Sequence, residues 1–175
     1  PVVGMVGKLP DPDTVPGQAF REEGHAIGIL GAWHPALAGS ELEKLRGSLA
    51  DHLPAPDLAE HAAALEHVRG TVRSGALASA HDISDGGLAC ALAESAIAGG
   101  IGARVEVESE VEAFGESPGG VVVSGPADVL ERAGARLIGE VGGDSLEIAY
   151  AGATLDLLVV EVRSVFSSAI PDHFS

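Results

Sequence analysis

Cysteine, aromatic residues and positive charge are all scarce in this chain, and each scarcity excludes something. A single cysteine, Cys90, rules out an internal disulfide and any cysteine-based zinc site. It also points to a reducing, cytoplasmic setting. Aromatics supply only 3% of the residues, so a core must be built from Ala, Val, Leu and Ile. Ten Lys and Arg face 26 Asp and Glu, a net charge of −16. That balance excludes a nucleic-acid partner, which needs clustered cations, and docking on an anionic membrane surface. No apolar run reaches transmembrane length and no signal peptide is present. There is no G-x-S-x-G elbow and no Walker A loop. The seven histidines show no metal-ligand pattern. His61 and His67 are off the i, i+4 spacing and read as solvated.

What is present suits one globular domain, or one domain with a small attached piece. Hydrophobic residues make up 46% and charged residues 21%, enough to bury a core. The 24 glycines predict many tight turns. The first residue is Pro1 and not Met, which suggests a processed or excised chain.

Residues 2–6 are apolar and read as a strand. The prolines and aspartates of 10–17 then read as loop chemistry. The organisation expected is a terminal strand of a preceding domain over 1–10, a linker over 11–24 and the main domain over 25–175. Residues 25–31 predict a strand. Ser40-Glu41-Leu42-Glu43 is a capping box, with Leu42, Leu45 and Leu49 on one helical face. Asp57, with Glu60 after it, predicts a second helix start. Leu58, Ala62, Leu65 and Val72 form its expected buried stripe, and Gly75 its stop. Residues 77–81 predict a short buried strand. Residues 87–98 predict a helix that is apolar nearly all round and therefore buried on most sides, ending at Gly99-Gly100. Cys90 within it reads as a buried small hydrophobe, not a nucleophile.

Downstream, 104–108 reads as a half-exposed strand, 108–112 as an acidic loop, 121–124 as a strand and 128–133 as a short helix closed by Gly134. Residues 136–141 and 146–150 read as two strands joined as a hairpin by Gly142-Gly143-Asp144. Residues 157–166 favour a strand by propensity, although Asp156 could cap a helix. The mixture predicts an α/β (α+β) domain, a mixed sheet flanked by helices.

The segment richest in chemistry is His81-Asp82-Ile83-Ser84-Asp85-Gly86-Gly87. It reads as a strand, a sharp turn and the start of a buried helix, which aims free amides and a helix dipole at one point. Glycines there let an anion approach the backbone. The structural alternative is that Asp85 caps the helix and the glycines only make the turn. A calcium loop starting at Asp82 would need a carboxylate where Ala93 stands and is rejected. Gly39-Ser40 before the first helix is a second phosphate candidate, with a plain capping box as its alternative. Phe114-Gly115-Glu116-Ser117-Pro118-Gly119-Gly120 before a strand is a third candidate, with a plain glycine-rich turn as its alternative.

These motifs, in this order, resemble the synthetase-subunit family of phosphoribosylformylglycinamidine synthase. The residues that carry the likeness are His81 to Leu88 with Glu94 after it, Leu37 to Glu41, Phe114 to Ser117, Gly139-Glu140-Val141, and the Pro1 to Gly7 strand. Ala38 stands where the family has a glycine. The resemblance implies the C-terminal domain type of the aminoimidazole ribonucleotide synthetase superfamily, with a helix over 157–166. It implies an ATP- and magnesium-dependent ligase that converts formylglycinamide ribonucleotide and glutamine-derived ammonia to the amidine in purine synthesis. Most ATP and metal ligands would lie on N-domains absent from this chain. The isolated chain would be inactive and would hold no cofactor tightly. Glutaminase and small accessory subunits would be partners of the whole enzyme. His81, Asp82, Ser84, Asp85, Gly86 and Gly87 would face the cleft toward an N-domain, with Gly39 and Ser40 where a related half binds a phosphate. Other superfamily members (selenophosphate synthetase, HypE, thiamine-monophosphate kinase) and a stand-alone non-catalytic binding module are the competing readings.

Overall fold

A computed structural model describes residues 4, 6–9 and 11–173. The expected strand at 2–6 and the terminal segment 1–10 fall largely outside the described residues. Gly4 and residues 6–9 form no regular element. The strands are β1 (Ala26–Gly31), β2 (Ser79–Asp82), β3 (Ala103–Val107), β4 (Gly120–Gly125), β5 (Arg136–Val141), β6 (Ser145–Tyr150) and β7 (Ala153–Leu158). The helices are α1 (Glu41–Leu45), α2 (Leu58–Arg73), α3 (Gly87–Gly99), α4 (Glu110–Phe114), α5 (Ala127–Arg132) and α6 (Val159–His173). One seven-stranded sheet runs β2-β4-β1-β5-β3-β6-β7. Its pairs are antiparallel except β3 with β6. This is the mixed sheet flanked by helices that composition and element order predicted.

Strand alternation divides the interior in two. On one face Ile27, Ile29, Val105, Val122 and Ile148 pack with Leu88, Leu92 and Ala96 of α3 in the main core. On the other, Leu30 and Val123 meet Val68 of α2 and Leu130 of α5 in a smaller core. Helix α3 is the central helix expected. Its inward side is fully buried, and Gly100 ends it in the left-handed region at φ +69°. Phe20, from the span read as a linker, is buried in the main core. Its amide donates to the Ser95 carbonyl at 3.1 Å.

The structure corrects several expectations. Strands β5 and β6 do not form a hairpin, because β3 lies between them. The 142–144 loop is instead stitched to the start of β3. Gly142 donates to the Gly102 carbonyl at 2.9 Å, and Gly102 to the Gly143 carbonyl at 2.8 Å. The apolar stripe of α2 is mostly uncovered: Leu58 and Leu65 are 77% and 54% exposed, and Val68 is its buried contact. Helix α1 ends at Leu45, so Leu45 and Leu49 share no buried face. The acidic loop contains α4, whose start is capped by Ser109 accepting from the Glu112 amide. The 157–166 segment is divided: β7 runs through Leu158 and the rest is helix, so Asp156 is a strand residue and not a cap. Cys90 is exposed on the outer side of α3. His61 is half-buried, with both ring nitrogens enclosed and unpartnered among the described residues, and not solvated.

Candidate functional site

Three chain segments meet at one end of the sheet. The first is the turn after β2, where Ile83 donates its amide to the Gly120 carbonyl at 2.9 Å. The second is the loop into α1. The third is the turn between α4 and β4. The last two are joined by a two-bond bridge between Ala36 and Glu116. Together they enclose a cleft of ≈ 500 Å³, lined by Gly39, Asp82, Ser84, Asp85, Glu116 and Ser117 among others.

Four of the eight sequence-derived candidates therefore share one wall: Gly39, Asp82, Ser84 and Asp85. The other four stand behind it. Ser40 is completely buried and caps α1, its Oγ accepting the Glu43 amide at 3.2 Å. The Glu43 carboxylate reaches back to the amide of Gly39 at 2.6 Å, one residue earlier than a capping box requires. Gly86 and Gly87 make the start of α3 with φ of +81° and +70°. A Cβ on Gly87 would lie 2.7 Å from the Gly115 carbonyl, so only glycine lets α3 seat against the end of α4. His81 is turned away from the cleft. Its Nε2 pairs with Glu94 at 2.6 Å, and its Nδ1 with Asp82 at 3.2 Å.

Asp85 does not cap α3. The cap position is Gly86, with no side-chain hydrogen bond. The amide of Gly86 is taken by Glu116, whose Oε1 accepts it at 2.9 Å and the Glu41 amide at 2.7 Å. Glu116 lies in the third candidate segment of the sequence but is not singled out there. The segment's glycines before a strand and its place in the family likeness both signal it, with a plain turn as the competing reading. His34 also lines the cleft. Its backbone amide donates to Ser117 Oγ at 3.1 Å, and its ring pairs with Glu60 at 3.1 Å.

The cleft is acidic. Asp82, Asp85 and Glu116 line it, and no Lys or Arg does. Lys44 senses this charge. Its pKa is raised by the Glu41 carboxylate it pairs with and, more weakly, by Asp85 and Glu116. Among the described residues no group of three His, Cys, Asp or Glu could hold a metal ion. No helix among them is long and apolar enough to cross a membrane. Desolvation, aided by the charges of Glu94 and Glu116, pushes the Cys90 thiol up, the opposite of an activated nucleophile.

Residues 22–152 match the family described as AIR synthase related protein, C-terminal domain. The chain belongs to that family. Its members' fold recurs in solved structures that share little sequence with it. Thermotoga maritima PurL complexed with FGAR superposes with a TM-score of 0.72 at 18% identity, over 87% of this chain and 30% of that one. The hydrogenase maturation protein HypE in complex with ATP gives 0.59 at 20% identity, over 83% and 53%. These likenesses show the fold of this AIR synthase related domain. Sequence relatives are nearer. The phosphoribosylformylglycinamidine synthase subunit PurL of Moorella thermoacetica is 38% identical across 98% of the chain. That of Methylocella silvestris is 35% identical across 100%. The chain spans about a quarter of the length of either (25%). The resemblance drawn from the His81–Leu88 and Phe114–Ser117 motifs is therefore to the right proteins.

One solved relative is T. maritima PurL complexed with ATP. The residues of this chain do not fit a polyphosphate by themselves. The helix-start amide that would face an anion already holds the Glu116 carboxylate, and three carboxylates line the approach.

Proposed function

We propose that this chain is the C-terminal quarter of a PurL-type synthetase subunit. That subunit would convert formylglycinamide ribonucleotide and ammonia to the formylglycinamidine ribonucleotide at the expense of ATP. The observation that carries the reading is the match to subunits named PurL, at 35% to 38% identity over 98% to 100% of the chain. In this reading residues 1–10 end a preceding domain, 11–24 connect, and 25–175 form the domain described above. The family match begins at residue 22 and ends at 152, and Phe20 of the connecting span packs into the domain's main core. The setting is cytoplasmic, in keeping with a single unpaired cysteine.

The chain supplies one wall of a cleft completed by a preceding domain. Gly39, Asp82, Ser84 and Asp85 form the exposed part of that wall. Ser40, Gly86, Gly87 and His81 hold it in shape. ATP and magnesium belong to the preceding domains, because the acidic wall cannot take phosphate unaided. The chain alone is inactive. Glutaminase and small accessory subunits associate with the whole enzyme. A solved assembly of T. maritima PurLQS, whose chain matches this fold with a TM-score of 0.66 at 16% identity, supports that expectation.

A chimera tests the reading. The matched quarter of the Moorella thermoacetica relative is replaced by this chain and assayed with ATP, magnesium, ammonia and formylglycinamide ribonucleotide. Amidine formation by the chimera, and none by the chain alone, is expected. A folded chimera without turnover would overturn the reading. Turnover by the isolated chain would overturn its dependence on preceding domains.

A further inference from the structure

Helices α3 and α6 leave an apolar groove of ≈ 420 Å³ between them, lined by Cys90, Ala93, Ile97, Val162, Val165 and Phe166. Its outer lip is unusually bare for a folded surface. Val165 is 70% exposed and Phe166 59%. Contiguous apolar surface of this kind marks an interaction site. The rim is acidic, with Asp85, Glu94 and Glu161 around it. The adjacent Arg163 donates to the Ile97 carbonyl and ties α6 to α3, and its single positive charge leaves the three carboxylates in excess.

These features decide what the groove takes. A second copy would meet it through the same patch on both partners. The three rim carboxylates would then face their own equivalents, in a chain that already carries −16. Like charges juxtaposed at an interface disfavour the contact. The complementary partner has an apolar centre and Lys or Arg at its margin. The reading given above supplies polypeptide to test for such a surface, because about three quarters of each PurL relative lies outside the matched segment. Asp85 lines both this groove and the candidate cleft, so whatever covers the groove abuts the proposed active wall.

We propose that the α3–α6 groove is the face on which this domain docks against the remaining polypeptide of a PurL-type subunit, through an apolar surface edged with basic residues. The proposal rests on the reading of the chain as part of such a subunit.

Cys90, the only cysteine of the chain, reports on the groove directly. Its alkylation by iodoacetamide is followed by mass spectrometry of the Cys90 peptide, in the free chain and in the chimera. Roughly tenfold slower labelling in the chimera is expected. Val165→Asp with Phe166→Asp changes exposed residues only, so the free chain should keep its melting midpoint, while labelling in the chimera returns to the free rate. If the chimera makes amidine but Cys90 labels at the free rate, the docking face is wrong and the functional reading stands. If the chimera folds, makes no amidine and leaves Cys90 open, the functional reading falls and takes the docking face with it. If the free chain sediments as a dimer with Cys90 protected, a second copy fills the groove and the proposal is overturned.

Discussion

The Glu116 carboxylate accepts the amide of Gly86 at 2.9 Å, and the same Oε1 accepts the amide of Glu41 at 2.7 Å. One oxygen thus ties the starts of two helices that are far apart in sequence. Glu116→Ala leaves both amides without this acceptor and should cost about 2 kcal/mol, since bonds to charged groups are the stronger ones. Glu116→Gln keeps an acceptor oxygen and should recover part of that loss. Urea midpoints of the three proteins check this. An unchanged Glu116→Ala midpoint would mean the tie carries no stability.

Asp85→Ala should be nearly silent for stability, within ~0.5 kcal/mol, as for an exposed residue whose side chain makes no hydrogen bond among the described residues. The sequence alone favours a loss, because an aspartate just before a helix usually caps it. The left-handed Gly86 takes the cap position instead. A clear drop in the denaturant midpoint would restore Asp85 as a cap. In the chimera, by contrast, Asp85→Ala should lower amidine formation.

Gly87→Ala should destabilise the domain by at least ~2 kcal/mol. Two penalties combine there. Its φ of +70° disfavours any side chain, and the added carbon would fall 2.7 Å from the Gly115 carbonyl. Gly143→Ala has a similar φ of +74° but open space around it, and should cost markedly less. Comparing their thermal midpoints separates the contact from the backbone effect.

Asp57 predicts a pH effect. Its carboxylate accepts the amides of Glu60 and Ala59 at the start of α2, which holds its pKa below the ordinary 3.8. A carboxyl depressed on folding stabilises above its unfolded value and loses that contribution as the pH falls through the folded value. Wild type should therefore exceed Asp57→Ala by a constant margin at neutral pH. The margin should shrink as the pH drops below 3.8. A margin independent of pH down to full protonation would contradict the cap.

Local features were readable from the chain. Ser40 and Asp57 cap where side-chain chemistry places them, and Gly75, Gly100 and Gly134 all follow helix ends in the left-handed region. The apolar surround of α3 correctly marked it as buried. The errors share a cause, which is that local pattern does not say what lies opposite. Periodicity gave α2 an apolar stripe, but no element covers Leu58 or Leu65. Two adjacent strands with a Gly-Gly turn suggested a hairpin, yet a strand from earlier in the chain intervenes. Gly39, Asp82, Ser84 and Asp85 were found because glycine-bearing turns before helices were sought. Glu116 was not, because its role depends on partners 30 and 75 residues away.

The strand order has a consequence for biosynthesis. None of β1, β2 and β3 pairs with another of the three. Their neighbours are β4, β5 and β6, which all come later in the chain. A ribosome that has translated as far as α4 has therefore released every strand of the first half and not one ladder. The apolar faces of Ile27, Ile29 and Val105 wait without partners until the C-terminal half emerges and interleaves with them. Any nascent chain halted before β4 holds three unpaired strands at once, the condition under which strands seek pairing with other chains.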